Sequence, residues 1–359
     1  MRVYRKVYIC EVVMKAVLRR RKKICCSVYG ESVVSFAGTG SQRVMAPVRV
    51  ALLLLCLGHA SAASCQDTDY LGTCTSNCGS YKFFVCSNVH RVSDYYHYVQ
   101  QALHYPNLWF VLKDSHLDYY PAGSFTDGNL TVIEFRNARV NSFTQFDKGP
   151  NPFLGAEQTV KAIVFREDSS LPGSWALFSR LAKLTKVEFR DMAHLELTSD
   201  FNLLPASVEK VYIYNSSIGY VHPGWLSQLN ALRVVIIRDT NLNQFVRSML
   251  PRPAPLLKEL DLERNALTGL PVDIGEEVPM LEFLNVGRNK ITTLDERSLA
   301  PLRRNGTYVY LFGNPLRCDC HLKFLVEYEE SWTYSECALP ENLRGRYFGT
   351  LSAEEMTCD

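Results

Sequence analysis

The most constraining feature of the sequence is a short repeat that recurs along most of the chain. The stretches LKELDLERNAL (257–267) and LEFLNVGRNKI (281–291) both fit the pattern L-x-x-L-x-L-x-x-N-x-L. We take the residue at the fourth position as a marker and trace it in both directions. Nine markers result, separated by 23, 30, 24, 24, 24, 25, 24 and 25 residues: Phe110, Ile133, Ile163, Val187, Val211, Val235, Leu260, Leu284 and Val309. Spacing this regular indicates stacked copies of one supersecondary unit.

The pattern is typical of a leucine-rich repeat, in which each unit adds one short strand to a shared sheet. We therefore predict an α/β solenoid over residues 108–313, a horseshoe with a parallel concave sheet of about nine strands. The marker and the second residue after it should face the core, because side chains alternate across a strand. In the return segments, Trp175, Phe178 and Trp225 should fill the outer side of the core.

The asparagine position of the repeat varies along the chain. Asn265, Asn289 and Asn314 keep the amide that can bond free backbone groups where the chain leaves the sheet. Other residues replace it in the remaining units: Ser115, Ala138, Asp168, Met192, Ser216 and Thr240. We expect these N-terminal units to keep the register of the repeat but to depart from its regular geometry.

A second motif ends many strands with an arginine and a small acid or amide, as in IEFRN (133–137), VEFRD (187–191) and VIIRD (235–239). In the predicted register this cation is the last outward residue of its strand, on the concave face. Through the stack, the cations form a column of Lys113, Arg136, Arg166, Arg190 and Arg238. The adjacent column contains Asp114, Asn137, Glu167, Asp191, Asn215 and Asp239.

Two interpretations of the arginine column stay open. Strands about 4.8 Å apart place like charges close enough to repel by roughly 1 kcal/mol, and a carboxylate or amide beside each cation relieves this repulsion. Glu134 and Glu188 can contribute from the same face. The column is then a self-neutralised, solvated ladder. Alternatively, it is a docking strip for an acidic partner, because the planar guanidinium suits carboxylates and sulfates.

Aromatic residues mark the C-terminal part of the same predicted face. Tyr212, Tyr214, Phe283, Tyr308, Tyr310 and Phe312 project outward in this register. Exposed neighbouring aromatics are typical of protein-binding hot spots, although the terminal cap could instead cover Tyr310 and Phe312. The long repeat unit has its extra residues near FDKGPNPFLG (146–155), a second candidate contact loop.

The N-terminal region has the features of an exported chain. Residues 45–62 read as a secretory signal peptide, with Arg49, a short apolar core and a small-residue cleavage site at 60–62. The basic stretch 1–44 is then expected to be untranslated or non-native upstream sequence, rather than a nuclear-import or nucleic-acid patch. Without residues 1–62 the chain has 28 bases and 35 acids, a net charge of −7, which disfavours nucleic acid and anionic membranes as partners.

Eight cysteines follow the predicted signal peptide, in two groups of four: Cys65, Cys74, Cys78, Cys86, and Cys318, Cys320, Cys337, Cys358. Clusters at both ends of an exported chain indicate disulfide-closed caps, here over 63–107 and 314–359. A zinc site at Cys318 and Cys320 is the alternative, with an unusually short spacing. Sequons at Asn129, Asn215 and Asn305 are candidate glycosylation sites in the same compartment. The C-terminus has no apolar tail for a membrane anchor.

The stretch NPLRCDCHLKFLVEYEESWTYSECALPENLRGRYFGTLSAEEMTC (314–358) resembles the cysteine-rich C-terminal cap of extracellular leucine-rich-repeat proteins. This resemblance implies disulfides Cys318–Cys337 and Cys320–Cys358. The N-terminal cysteines look like the matching cap, but their spacing departs from its usual pattern and leaves their pairing open. The chain also resembles arthropod secreted leucine-rich-repeat proteins, among them the non-catalytic subunits of oplophorus-luciferin 2-monooxygenase.

These features favour a secreted, non-enzymatic binding protein that recognises an extracellular protein or an acidic or sulfated glycan through its concave face. Two alternatives are an accessory subunit of a secreted enzyme, with a catalytic partner chain, and an extracellular-matrix structural protein. No nucleophile, metal-ligand or phosphate-loop motif is present, so we predict no catalytic residues, metal or cofactor.

Overall fold

In the computed structural model, the described residues are 74–78, 82–102, 107–126, 128–145, 149–328 and 330–358. The chain divides into two units, Met1–Ala63 and Ser64–Asp359, and every described residue belongs to the second. The predicted basic extension, the signal peptide and Cys65 lie outside the described residues.

Short strands dominate the described region. They are β1 (Cys74–Cys78), β2 (Lys82–Ser87), β3 (Leu108–Lys113), β4 (His116–Tyr119), β5 (Leu130–Arg136), β6 (Arg139–Ser142), β7 (Ala162–Arg166), β8 (Lys186–Arg190), β9 (Leu195–Leu197), β10 (Lys210–Tyr214), β11 (Ile218–Val221), β12 (Val234–Arg238), β13 (Glu259–Asp261), β14 (Phe283–Asn285), β15 (Tyr308–Tyr310), β16 (Leu316–Arg317) and β17 (Cys337–Leu339). The α-helices are α1 (Val92–Ala102), α2 (Glu296–Arg304) and α3 (Glu330–Thr333). Most return segments contain 3-10 turns or irregular backbone instead of α-helix.

One large sheet contains eleven of these strands in the order β1-β2-β3-β5-β7-β8-β10-β12-β13-β14-β15. All neighbours are parallel except the antiparallel hairpin β1–β2. The predicted markers pair with one another from strand to strand, from Phe110 beside Ile133 to Leu284 beside Val309. The leucine-rich-repeat fold and its register are therefore confirmed. The N-terminal cap adds β1 and β2 to the nine predicted strands.

The core lies between the sheet and the return segments. Val187 and Phe189, the marker and the second residue after it in β8, are both completely buried, as predicted. Phe135, Phe165 and Phe189 stack in neighbouring units with centroids 5.3 and 5.7 Å apart. On the outer side, the buried rings of Trp175, Phe178 and Trp225 complete the core. Since each unit leaves its apolar sides open without neighbours, stacking creates the domain.

Where the strands end, polar side chains link successive units. The Asn289 amide donates to the carbonyls of Leu262 and Val286 at 2.9 and 3.0 Å, and its oxygen accepts from the Leu267 amide at 3.0 Å. Asn265 and Asn314 bond in the same way.

In the N-terminal units, a serine hydroxyl makes this link between successive units with one donated and one accepted hydrogen bond. The Ser216 hydroxyl donates to the Tyr214 carbonyl at 2.8 Å and accepts from the Met192 amide at 3.1 Å. In the unit of β7 it is Ser169, not the predicted Asp168, whose hydroxyl does this. Both Glu167 and Asp168 have positive φ, which displaces the bonding position by one residue.

Disulfides close both ends of the described solenoid. Cys318 bonds to Cys337 and Cys320 bonds to Cys358, as the resemblance implied, so neither cysteine of the proposed zinc pair is a free ligand. At the N-terminal end, Cys74 bonds to Cys86 across the β1–β2 hairpin. No helix in the described part of the chain is both long and apolar enough to cross a membrane.

The described part of the candidate contact loop is divided between surface and core, with Pro150 and Gly155 exposed and Pro152 and Phe153 buried. Residues 146–148 are outside the described range. Beyond them, the buried Phe153 ring packs on Phe178 with centroids 4.8 Å apart and on Tyr120 at 5.6 Å. The candidate contact loop 146–155 therefore supplies core at Phe153, because an inserted aromatic gains more by burial than by exposure.

Candidate functional site

The concave face consists of the outward side chains of β3, β5, β7, β8, β10 and β12–β15. Each unit offers three of them: the residue before the marker, the residue after it and the third residue after it. We call β3, β5, β7 and β8 the basic half of this face, and β12–β15 the C-terminal half. All predicted binding residues lie on these strands or directly after them, as their pairing shows.

The basic half is organised around Glu134, an outward residue of β5 that is only 1% exposed. Its carboxylate accepts from Arg136 Nε at 2.9 Å and from the Trp109 indole at 3.0 Å, and Arg166 Nη1 lies 3.5 Å away. A buried carboxylate needs several donors to offset its desolvation. Two arginines of the column thus serve as partners of one buried acid.

Glu188 on β8 repeats this arrangement. Lys186 Nζ lies 3.0 Å from one of its oxygens and Arg190 Nη2 lies 2.9 Å from the other. Burial works against ionisation of Glu188, but the two cations outweigh it and keep the pKa of this carboxyl below its ordinary value. The Arg190 guanidinium also lies 4.6 Å from the centre of the Tyr214 ring. Burial, with the Glu188 charge, raises the pKa of Tyr214 to about 12.

Every cation of the predicted column therefore has an acidic partner. Besides the pairs above, Lys113 lies 3.3 Å from Asp114, and Arg238 contacts Glu263 and lies 3.5 Å from Asp261. For the four arginines, the paired acids are mainly outward residues of the strands. Glu134 and Glu188, which the neutralised-ladder interpretation named as contributors, are among them, whereas the acids of the adjacent column are not.

The adjacent column has a backbone role instead. Its members all have positive φ, between 46° and 57°, at the bend where the chain leaves the sheet: Asp114, Asn137, Glu167, Asp191, Asn215, Asp239, Arg264 and Arg288. Asparagine and aspartate tolerate this conformation better than most residues. Their amides continue the sheet ladder, as in Asn137 N to Arg166 O at 3.0 Å. The side chains bond to each other, as in Asn215 to Asp191 at 2.6 Å.

The C-terminal half presents exposed rings. The Phe283 and Tyr310 centroids are 5.4 Å apart, and those of Tyr308 and Tyr310 are 6.2 Å apart. Tyr308 is 51% and Tyr310 41% exposed, so the terminal cap does not cover them. Phe312, 37% exposed, lies two residues after the end of β15 and extends the patch toward the cap.

Two cap residues that the sequence interpretation missed extend this patch. Tyr334 stacks on Phe312 with centroids 6.2 Å apart, and Tyr347 stacks on Tyr334 at 5.3 Å. Tyr334 is 60% exposed. We call the six residues Phe283, Tyr308, Tyr310, Phe312, Tyr334 and Tyr347 the aromatic cluster. The stretches WTYSEC and GRYFG contain the two tyrosines, but only the folded cap brings them beside β15.

The glycosylation candidates Asn129, Asn215 and Asn305 have exposed side chains. They lie at both edges of the concave sheet, since Asn129 and Asn305 precede β5 and β15 while Asn215 follows β10. A glycan on Asn215 would be attached to the same nitrogen that donates to Asp191. Among the described residues, a metal-compatible grouping occurs at Cys320, His321 and Cys358, but both thiols are held in one disulfide.

Comparison with known proteins agrees with the fold. Residues 255–316 match the family described as leucine rich repeat. The leucine-rich repeat and fibronectin type-III domain-containing protein 4 of Rattus norvegicus is 28% identical over 152 residues, which cover 39% of this chain and 23% of that protein. Trophoblast glycoprotein of Macaca fascicularis is 30% identical over 140 residues, covering 36% of this chain and 33% of that protein.

The solved structure of human trophoblast glycoprotein covers 80% of this chain, with a TM-score of 0.48 and 18% identity. The matches to the two curated relatives span a third or less of those proteins' length. The repeat register and the parallel sheet, with the family match over residues 255–316, give this chain the leucine-rich-repeat fold, and its sequence is similar to parts of the two curated relatives.

Proposed function

We propose that this chain is a non-enzymatic extracellular binding protein that recognises a protein partner through the C-terminal half of its concave face. The observation that carries the proposal is the aromatic cluster. Five of its six rings are 37–60% exposed and lie in two groups of contacting rings: Tyr308, Tyr310, Phe312, Tyr334 and Tyr347. Grouped exposed rings expose apolar area that a partner can bury, and tyrosine is enriched among residues that dominate binding energy.

The position of the cluster supports the same function. It continues from β14 and β15 onto the disulfide-bonded cap, where Cys318–Cys337 and Cys320–Cys358 hold the chain in place. Rings on such a rigid base lose little conformational entropy when they bind. The exposed Arg288 guanidinium lies 5.8 Å from the Phe312 ring centre, at the rim of the patch. An apolar centre with a polar rim is typical of protein interfaces.

An acidic or sulfated glycan is a second candidate ligand, bound at the basic half. The observation that favours it is a charge imbalance on β5, β7 and β8. There Glu134 and Glu188 serve four cations, whose side chains stay 26–37% exposed: Arg136, Arg166, Lys186 and Arg190. The excess positive charge can attract sulfates, although the guanidiniums already have carboxylate partners.

Affinity capture with matched variants tests the proposal. The full chain is immobilised, incubated with extracellular fluid of the source organism, and the captured proteins are identified by mass spectrometry. Y308S/Y310S should reduce capture of the main partner about tenfold or more, because each ring lies at the centre of the patch. R166S/R190S, with unchanged circular dichroism, should reduce it by about twofold at most.

The other outcomes of this capture experiment are equally informative. Loss of capture in R166S/R190S together with sensitivity to a sulfated-glycan competitor would favour the glycan. Recovery of an enzyme chain would make the protein an accessory subunit, and recovery of its own copies or collagen would make it a matrix component. Capture that is unchanged in both variants would contradict binding through the concave face.

A further inference from the structure

Strand β13 and the residue just before its exit bend at Arg264 present acids at all three outward positions. These are Glu259, Asp261 and Glu263, and no other unit described in the sheet does this. On one side β12 offers Val234, Ile236 and Arg238, and on the other β14 and its exit offer Phe283, Asn285 and Gly287. An acidic row thus crosses the C-terminal half beside the aromatic cluster.

The three carboxylates are not equally neutralised. Glu263 has three arginine partners, a contact with Arg238 and two pairs at 3.6 Å with Arg264 and Arg288. Asp261 has only Arg238, with Nη1 at 3.5 Å. Glu259 has no ion pair within 4.0 Å among the described residues. Negative charge is therefore left over at the first two positions of the row.

Apolar side chains flank these two carboxylates on three of four sides. Val234 lies beside Glu259 on β12 and Phe283 lies beside it on β14, while Asp261 lies between Ile236 and the polar Asn285. Adjacent strands are about 4.8 Å apart, so Glu259 has an apolar wall on both sides and Asp261 has one on the β12 side. A long cationic side chain fits such a site, because its aliphatic stem packs on apolar walls while its charged end meets the carboxylates.

The fold does not need the charge of Asp261. Its Oδ1 accepts the Glu263 amide at 3.0 Å and so shapes the strand end. One strand along, Asn285 Oδ1 accepts the Gly287 amide at the same distance, 3.0 Å. A neutral amide therefore does the same structural work. An acid that is only 3% exposed and incompletely paired lowers the stability of the fold. Its presence is therefore better explained by a role in binding.

We propose that Glu259 and Asp261 receive a lysine or arginine side chain from a basic segment of the protein partner, seated between β12 and β14. This rests on the proposed function, since it names the chemistry of the partner at the same concave face. Charge complementarity identifies the occupant: Glu259 has no ion pair among the described residues and Asp261 shares Arg238 with Glu263, so a cation gains from these carboxylates, whereas an acidic partner would face them directly.

A proton linkage should accompany this binding. Burial raises the pKa of Asp261 to about 6 and raises that of Glu259, with Arg238 opposing both. The other charged or titratable groups that face them are Glu263 on the same segment, Asp239 after β12, Lys210 and Tyr212 on β10, and Arg264 and Arg288 at the strand exits. A bound cation would lower the pKa of Asp261, so binding near pH 6 should release protons and affinity should rise from pH 5 to pH 7.

The experiment uses a phage-displayed library of random dodecapeptides selected on the full chain. Selected peptides should be rich in Lys or Arg next to apolar residues. In isothermal titration, E259Q/D261N should weaken their binding about tenfold or more, since it removes both charges. The fold should be unchanged, because an asparagine oxygen at position 261 can accept the Glu263 amide as Asn285 accepts that of Gly287. The control E276Q/E282Q removes two exposed charges and should change affinity by about twofold at most.

Titration in two buffers of different ionisation enthalpy near pH 6 should show proton release with the parent and none with E259Q/D261N. Peptides that lack basic residues, or that bind E259Q/D261N and parent equally, would overturn the inference. If those peptides still lose affinity in Y308S/Y310S, the proposed function stands without it. If no peptide is enriched, or none responds to Y308S/Y310S, the proposed function itself fails.

Discussion

The two halves of the concave sheet treat a buried acid in opposite ways. In the basic half, Glu134 is buried among Arg136, Arg166 and the Trp109 indole, so its charge is fully used by the fold. In the C-terminal half, Asp261 is buried with one arginine at 3.5 Å and its pKa rises to about 6. The same strand position thus holds a structural ion cluster in one half and an incompletely paired charge in the other.

This difference in the pairing of the buried acids indicates that a partner binds the C-terminal half. Charges that already have short, buried partners are costly to redirect to a ligand, because breaking the existing pairs leaves an uncompensated charge. Charges and rings without complete partners can gain from a ligand. The C-terminal half has both kinds of group, whereas the arginines of the basic half, conspicuous in sequence, mainly support Glu134 and Glu188.

The largest effect should follow from removing the buried acid of the basic half. Glu134→Ala leaves Arg136 and Arg166 without their carboxylate and the Trp109 indole without its acceptor, so the free energy of unfolding should fall by about 3–5 kcal/mol. Chemical denaturation measures it. A loss below about 1 kcal/mol would mean that this cluster is not structural.

The strand exits should show a smaller difference, between the serine-bonded unit of β10 and the asparagine-bonded units of the C-terminal half. Asn289→Ala removes donors to Leu262 and Val286 and an acceptor for Leu267, all buried, so about 2–4 kcal/mol of stability should be lost. Ser216→Ala removes one donor and one acceptor and should cost about 1–2 kcal/mol. Equal losses in denaturation experiments would contradict a stronger ladder in the C-terminal units.

Asp261→Asn should change stability in the opposite direction. Because the folded-state pKa of Asp261 is raised to about 6, its favourable contribution is complete below its unfolded pKa and is lost as pH rises through 6. The variant should therefore be more stable than the parent by about 1–3 kcal/mol at pH 7.5 and equal to it near pH 3.5. Thermal unfolding across this range measures the difference; destabilisation at pH 7.5 would show that Arg238 fully compensates the charge.

The smallest effect is expected from the edge of the basic half. Arg190→Ser removes a partly exposed cation but leaves Glu188 paired with Lys186 at 3.0 Å. The free energy of unfolding should fall by about 1 kcal/mol or less, and less at high salt. A larger loss, measured by denaturation at two salt concentrations, would place Arg190 in the same structural class as the Glu134 cluster.

The sequence was sufficient to predict the repeat register and the inward residues, because periodic apolar positions are a local signal, and the resemblance of residues 314–358 to known caps implied the C-terminal disulfides. It did not predict that Glu134 is buried, since an outward residue of a strand becomes buried only when long side chains of neighbouring strands close over it. Nor did it predict Tyr334 beside Phe312, a contact that depends on the path of the cap. The Asp/Asn column was assigned to charge neutralisation, whereas its positive φ shows a backbone role.

Hydroxyl-radical footprinting of the full chain, with and without the captured partner, tests the central claim most directly because it reports tyrosine side chains individually. We predict that oxidation of Tyr308, Tyr310 and Tyr334, which are 41–60% exposed in the free protein, falls when the partner is bound. Tyr220, 47% exposed on β11 away from the concave sheet, should be unchanged. Protection of Tyr220 with no change at Tyr308 and Tyr310 would contradict binding through the C-terminal half.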